Sequence, residues 1–152
     1  MGERQRVLVV DDEPSIVDAV ATSLRYEGFE VEEAGTGRKA LAAAQEHPPD
    51  LVILDVMLPK INGLQVLQTI RREGLLMPII MLSARSGEMD KVAGPDEQEG
   101  VAPGTVFVGL SLPGQPTQTR RLRVPGDRER VRQYGAISAL DLLRRALDAP
   151  DA

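Results

Sequence analysis

Acidic side chains follow two apolar segments at the points where strands are expected to end. Residues 7–10 lead directly into Asp11 and Asp12, and a second apolar run, residues 51–54, leads into Asp55. Fully apolar runs of this length are typical of strands that are buried on both faces of a parallel sheet. If the two strands are neighbours, their acids converge at the carboxyl edge of the sheet, where open α/β sheets bind ligands.

Three carboxylates at one edge are suited to a hard divalent cation, and Mg²⁺ is the natural occupant of such a site. We therefore predict that Asp11, Asp12 and Asp55 are metal ligands. The alternative is that the acids cap the helices that follow, which is a common role for a single Asp such as Asp12. The convergence of three acids favours the metal site over three separate caps.

Composition limits the class of protein. The 152 residues are 42% hydrophobic but only 3% aromatic, so we expect one domain with an aliphatic core. The absence of Cys excludes disulfides and thiol chemistry, and a formal net charge of −5 argues against nucleic acid as a partner. Because no apolar run approaches the length of a membrane span and no signal peptide precedes the first strand, we expect a cytoplasmic protein.

Strands and helices alternate through the first half of the chain, which predicts a parallel sheet with helices on both faces. We expect a flavodoxin-like three-layer α/β/α domain with strand order 2-1-3-4-5. The first four strands are expected over residues 7–10, 29–31, 51–54 and 79–82.

The second half has a different texture, because Gly and Pro supply eleven of the residues from 94 to 126. Two short strands are expected there, and their short connection requires antiparallel pairing, which places the second of them at the edge beside strand 5. The expected elements are a helix over 88–93, an acidic loop over 94–104, strands over 105–110 and 121–124, and a last helix over 127–147.

Residues 5–93 resemble the receiver domain of two-component response regulators. The resemblance is carried by VLVVDDEP at 7–14, LVILDVMLP at 51–59, Gly63, and PIIMLSA at 78–84. It implies that Asp11 and Asp12 hold Mg²⁺ and that Asp55 accepts a phosphoryl group from a histidine kinase or a small phosphodonor. It also implies that Ser83 hydrogen-bonds a phosphoryl oxygen, although capping of the next helix is an equally good reading of Ser83.

The sequence departs from the receiver pattern after Gly94. Receivers carry a fifth strand that ends in Lys-Pro, and that lysine pairs with the phosphoryl group. Here the expected fifth strand ends in Gly109, Leu110 and Ser111, and no lysine occurs after Lys91. Loss of a preorganised cation weakens stabilisation of the phosphoryl charge, so we expect impaired conformational switching.

Residues 92–148 resemble the C-terminal half of the CinA-type nicotinamide-nucleotide amidohydrolase domain. The matching segments are VAGPDEQEG at 92–100, PGTVFVGL at 103–110, and RRLRVPGDRERVRQYGAISALDLLRRAL at 120–147. The catalytic serine motif of that family lies in a half that this sequence lacks, so we do not expect an enzyme.

The two resemblances meet at residues 92–94 and predict one domain over residues 1–152. Residues 1–93 are receiver-like, and residues 94–152 are expected to complete the same sheet. We interpret the chain as an engineered chimera, with a natural recombinant gene as the alternative. Two other functional hypotheses stay open beside the receiver, namely a scaffold with no native activity and a residual nucleotide-binding fragment.

Overall fold

The computed structural model describes residues 5–84, 105–116 and 118–123, together with 138 and 141. No helix among these residues is both long enough and apolar enough to cross a bilayer. The strands are β1 Arg6–Val10, β2 Glu30–Ala34, β3 Leu51–Asp55, β4 Ile79–Ala84, β5 Thr105–Ser111 and β6 Gln118–Arg123, and the helices are α1 Pro14–Tyr26, α2 Gly37–Glu46 and α3 Gly63–Arg72.

The strands form one sheet in the order β2-β1-β3-β4-β5-β6. β1 pairs in parallel with β2 and with β3, and β3 pairs in parallel with β4. The flavodoxin-like fold and the order 2-1-3-4-5 are confirmed. The neighbouring parallel strands β1 and β3 bring the two acidic segments to the same edge of the sheet.

One strand of the sheet opposes the others, as expected, but that strand is β5 and not the outer strand β6. β5 is antiparallel to β4, with Ile79 opposite Ser111 and Ala84 opposite Val106. β6 is antiparallel to β5, so it runs in the same direction as β1 to β4. β5 therefore begins at the edge of the sheet where β4 ends, whereas a parallel neighbour would begin at the opposite edge.

Two aliphatic cores cover the two faces of the sheet. Successive residues of β1 alternate between them: Val7 and Val9 pack toward α1, whereas Leu8 and Val10 pack toward α2 and α3. Because both faces of the sheet are covered, the two apolar runs predicted as buried strands, residues 7–10 and 51–54, are buried at every position. α1 also buries Ile16, Val20 and Leu24, which follow one another at intervals of four residues.

The largest differences between the expected and the observed strand boundaries are in the outer strands β2 and β6, each shifted by three residues at one end, whereas the other strands differ by one or two residues. β2 extends beyond residue 31 because it is an edge strand, whose glutamates are accommodated beside solvent; Glu32, for example, forms an ion pair with Arg6 at 3.0 Å. β6 begins at Gln118 instead of residue 121. In both cases polar residues occupy an outer strand, where the apolar pattern of a central strand does not apply.

Three expected elements lie outside the described residues. They are the helix over 88–93, the acidic loop over 94–104 and most of the last helix over 127–147. Within the last of these, Ser138 and Asp141 are helical.

Arg71 joins α3 to the end of β5. Its guanidinium donates to the carbonyl oxygen of Leu75 at 2.9 Å, to the carbonyl oxygen of Ser111 at 3.0 Å and to Ser111 Oγ at 3.2 Å. Ser111 is buried, and burial lowers the pKa of Arg71 below its ordinary value. The hydrogen bonds offset this desolvation, so Arg71 fixes β5 to the first half of the chain.

Replacement of Arg71 tests the strength of this junction. Arg71→Met leaves the buried acceptors of Ser111 without their donor, and we expect the free energy of unfolding to fall by about 1–3 kcal/mol. Arg72→Met is the matched control, because Arg72 lies in the same helical turn but is exposed, and we expect a change of less than about 0.5 kcal/mol. Urea denaturation followed by far-UV circular dichroism measures both, and equal losses would contradict the role given to Arg71.

Candidate metal centre

The carboxylates of Asp11, Asp12 and Asp55 meet at the carboxyl edge of the sheet. Val10 is paired with Leu54 across the parallel β1–β3 ladder, so the residues that follow them, Asp11 and Asp55, are neighbours. One carboxylate oxygen from each of the three acids lies within 4.8 Å of the other two. The structure therefore brings together the three residues that the sequence predicts as metal ligands.

Two of the acids are buried and oriented by backbone donors. Asp11 and Asp55 are 7% and 4% exposed, whereas Asp12 is exposed to solvent. Glu13 N–H donates to Asp11 Oδ1 at 3.0 Å, and Met57 N–H donates to Asp55 Oδ1 at 3.2 Å. In each case the carboxylate accepts a hydrogen bond from the backbone N–H two residues ahead. The resulting local turn holds the carboxylate at the start of its loop.

The alternative role as helix caps is not what the structure contains. The N-cap position of α1 is Glu13, which makes no side-chain capping hydrogen bond, and Pro14 is the first helical residue. The cap of α3 is Asn62, which forms a reciprocal capping box with Gln65. Asp12 and Asp55 therefore do not occupy cap positions.

The donor chemistry fits a hard cation. All three side chains offer carboxylate oxygen, the ligand that Mg²⁺ and Ca²⁺ prefer. Three carboxylates this close repel one another, and the repulsion is strong where burial excludes water. A small cavity of about 20 Å³ lies beside Asp11 and Asp55 and is otherwise lined by apolar residues; it has room for about one water-sized group.

Ser83 follows Leu82, the β4 residue that is paired with Asp55 at the end of β3. Leu82 is opposite Asp55, and Ser83 is the next residue toward the carboxyl edge, opposite Phe107 of β5. The backbone of Ser83 thus lies at the edge that carries the acids. Its side chain is outside the described portion of the chain.

The direction of β5 determines what that strand can bring to the site. Its carboxyl end, Ser111, is paired with Ile79 at the opposite edge of the sheet. The acidic edge is instead reached by the first residues of β5, Thr105 and Val106. A lysine at the carboxyl end of this strand would therefore lie at the edge away from the acids, so the departure from the receiver pattern lies in topology as well as in residue type.

Gly63 fixes the end of the loop between Asp55 and α3. A Cβ on Gly63 would collide with the carbonyl oxygen of Asp55, and Gly63 N–H donates to Val56 O at 2.9 Å. Lys60, in the middle of the loop, has φ of 64°, a left-handed conformation uncommon for a residue with a side chain. The loop that begins at Asp55 is thus held in a specific, tight conformation.

Two family models match the chain. The response regulator receiver domain matches residues 7–98, and the CinA C-terminal domain matches residues 88–147. The receiver match covers more than half of the chain, including the whole acidic site. The CinA match includes β5 and β6.

Curated relatives of the receiver-like segment are transcriptional regulators by name. The probable transcriptional regulatory protein TcrX of Mycobacterium tuberculosis is 46% identical over 93 residues, which are 61% of this chain and 40% of that protein. The transcriptional regulatory protein KdpE of the same species is 50% identical over 90 residues, which are 59% of this chain and 39% of that protein. The chain thus spans about two fifths of the length of these relatives.

Solved receiver structures share the fold. The chemotaxis protein CheY4 of Vibrio cholerae has a TM-score of 0.59 at 28% identity, over 94% of this chain and 98% of that chain. The response regulator protein TrrA of Thermotoga maritima, solved in complex with Mg(2+)-BeF, has a TM-score of 0.51 at 32% identity, over 62% of this chain and 97% of that chain. Together with the family model over residues 7–98, these similarities establish that the chain belongs to the response regulator receiver domain family.

Proposed function

We propose that the chain is a receiver-like phospho-acceptor module of two-component signalling with a Mg²⁺-dependent aspartate site. In this proposal Asp11, Asp12 and Asp55 bind Mg²⁺, and Asp55 accepts the phosphoryl group of a histidine kinase or a small phosphodonor. The observation that carries the proposal is the convergence of the three carboxylates within 4.8 Å at the carboxyl edge of β1 and β3. The family match and the Mg(2+)-BeF complex of TrrA support it.

The proposed transfer requires little covalent chemistry from the protein. An oxygen of Asp55 forms a bond to phosphorus while the bond from phosphorus to the kinase histidine nitrogen breaks, and the imidazole keeps the electron pair and takes up a proton. Positioning and charge neutralisation supply most of the catalysis in such reactions. Bound Mg²⁺ would neutralise the phosphoryl oxygens, and the hydrogen bond from Met57 would hold Asp55 in line. Ser83 would supply a hydroxyl donor from the neighbouring strand.

We further propose that phosphorylation is poorly coupled to a conformational switch. The residues at the carboxyl end of β5 are Gly109, Leu110 and Ser111, none of which is cationic, and that end lies at the edge away from Asp55. Without a preplaced cation on this strand, the phosphoryl group gains less charge stabilisation from the segment that would report its presence.

We interpret the architecture as a single domain in which a CinA-like segment completes a receiver sheet. The antiparallel pairing of β5 with β4 and the hydrogen bonds of Arg71 to Ser111 support this interpretation. An engineered fragment exchange accounts for the junction. The relatives are named as transcriptional regulators, but the chain matches about two fifths of their length, and we propose a cytoplasmic, non-enzymatic signalling role without assigning DNA binding to it.

A titration tests the site directly. We expect millimolar Mg²⁺ to shift the amide resonances of Glu13 and Met57, because their N–H groups donate to Asp11 and Asp55, and we expect beryllofluoride to shift them further. Asp55→Asn removes a ligand charge and should abolish both responses. Asp18→Asn, an exposed position on α1, is the control and should respond like the parent protein.

Each alternative has a distinct outcome in the same experiment. An inert scaffold would give a folded spectrum that neither Mg²⁺ nor beryllofluoride changes, and this result would refute the proposed function. A residual amidohydrolase fragment would respond to nicotinamide mononucleotide, which we expect to leave the spectrum unchanged.

Restoration of a cation tests the proposal on switching. Position 106 of β5 is opposite Ala84 and lies two residues before Val108, so positions 106 and 108 are on the same face of the strand. Val108 shares its face of the sheet with Leu82, which is paired with Asp55. In Val106→Lys we expect beryllofluoride to bind about tenfold more tightly, which corresponds to about 1.4 kcal/mol. Thr105→Lys adds the same charge in the opposite strand phase and should change the affinity less than about twofold, the scale of a screened surface charge.

Isothermal titration calorimetry of the two lysine variants in saturating Mg²⁺ provides the measurement. Equal gains in both variants would indicate a general effect of charge and would contradict the proposed role of the missing lysine.

A further inference from the structure

The corner between β2 and α2, residues 34–37, contacts the loops on both sides of the acidic site. This corner contains none of the predicted ligands. It lies between the segment that carries Asp11 and the segment that follows Asp55, and its sequence is Ala-Gly-Thr-Gly. Two glycines in so short a corner allow the backbone to approach both neighbours closely.

On one side the corner holds the first acid. The N–H of Asp11 donates to the carbonyl oxygen of Ala34 at 3.2 Å, which continues the β1–β2 ladder by one residue. A Cβ on Gly35 would lie 3.9 Å from the carbonyl oxygen of Asp11, an ordinary van der Waals distance. The corner is therefore in register with Asp11, and a methyl group at position 35 fits without displacement.

On the other side the corner packs against the loop of the phospho-acceptor. A Cβ on Gly37 would lie 2.7 Å from the carbonyl oxygen of Ile61, 3.1 Å from Ile61 Cβ and 3.0 Å from Val66 Cγ2. The closest of these atoms is backbone, which cannot rotate away as a flexible side chain does. A methyl group at position 37 must therefore displace either α2 or the segment at Ile61.

Ile61 has little freedom to move independently of Asp55. Only five residues separate Asp55 from Ile61, and the far end of this loop is anchored by the hydrogen bond from Gly63 to Val56. Gly63 itself packs against the backbone of Asp55. A displacement at Ile61 is thus transmitted to the segment that orients the Asp55 carboxylate through Met57 N–H.

We propose that Gly37 is a positioning residue for the acidic site. Because Gly37 has no side chain, the β2–α2 corner can contact the Asp55 loop while Ala34 remains hydrogen-bonded to Asp11, and this double contact holds the loop after Asp55 in place beside the β1–β3 ladder that brings the acids together. The effect on Mg²⁺ rests on the proposed function, whereas the effect on the loop does not.

The competing explanation is that Gly37 serves only the packing of α2. The two explanations predict opposite effects of Gly37→Ala. Helix propensity predicts that Ala favours α2, because Gly37 is the first residue of that helix and Ala is the better helix residue. The proposed role predicts that Ala disturbs the Asp55 loop. A variant that leaves the helix intact but shifts the distant loop would distinguish positioning from local packing.

The first test uses metal-free protein. In Gly37→Ala we expect the amide resonances from Val56 to Ile61 to shift, together with those of α2. In Gly35→Ala, the matched substitution in the same corner, we expect changes confined to residues 33–37 and the adjoining turn after Asp11. Shifts in Gly37→Ala that stop at the boundary of α2 would overturn the proposal, whether or not the protein binds Mg²⁺.

The second test measures Mg²⁺ affinity by the same resonances. We expect Gly37→Ala to weaken Mg²⁺ binding at least fivefold and Gly35→Ala to stay within twofold of the parent. Ile70→Val, at a fully buried position on α3, controls for general loss of stability. If Ile70→Val weakens Mg²⁺ binding as much as Gly37→Ala does, the positioning role is refuted.

A measurement on the parent protein covers the case in which Gly37→Ala does not fold. Coupling between two sites is reciprocal, so Mg²⁺ should slow hydrogen exchange at the Ala40 amide, which is bonded to Thr36 O, by several-fold. The Glu27 amide, bonded to Ser23 O at the far end of α1, should be unaffected. Equal exchange at Ala40 with and without bound Mg²⁺ would contradict the coupling, whereas a failure to bind Mg²⁺ at all would instead refute the proposed function.

Discussion

The convergence of Asp11, Asp12 and Asp55 at one edge of the sheet is the constraint that links the fold to the candidate site. Two of these carboxylates are almost completely buried, where like charges interact more strongly than in water. Parallel pairing of β1 with β3 forces the acids together, and the aliphatic cores on both faces keep those strands in register. Backbone N–H groups two residues ahead of Asp11 and Asp55 donate hydrogen bonds to them, which offset part of the free-energy cost of burying these carboxylates. Three carboxylates in this arrangement have the donor chemistry that suits a hard divalent cation.

The reversed β5 shows how a sheet can be completed by a strand that runs against its neighbours. Hydrogen bonding between strands requires only a matching backbone edge, and β4 can accept a neighbour in either direction. What changes with direction is the set of residues delivered to each edge. In this chain the start of β5 lies beside the acids and its end lies beside Arg71. The strand therefore completes the sheet, and its direction determines which of its residues lie at the edge that carries the acids.

The elements that the sequence predicts well are those with a single dominant cause. Residues 7–10 and 51–54 are strands because they are apolar at every position, and the acids after them converge because parallel strands end at one edge. The limits of β2 were not predictable in the same way, since its glutamates are compatible with a strand only at the outside of the sheet. The direction of β5 depends on where the preceding connection returns, which composition does not encode. The close contact between Gly37 and Ile61 joins residues distant in sequence, so the glycine alone gave no indication of it.

The acids of the candidate metal site and any groups that could respond to a change of charge at Asp55 come from different segments of the chain, and this separation has a physical basis. The three carboxylates belong to β1, β3 and the turns that follow them, all within the first 55 residues. Transmission requires a second set of groups that changes position when the charge at Asp55 changes, and in a parallel sheet such groups come from the carboxyl ends of the adjacent strands. The pairing of Ala84 with Val106 places the beginning of a strand there instead. The candidate metal site and the reversed strand thus depend on separate strand pairs, because β1 and β3 position the acids whereas β4 positions β5.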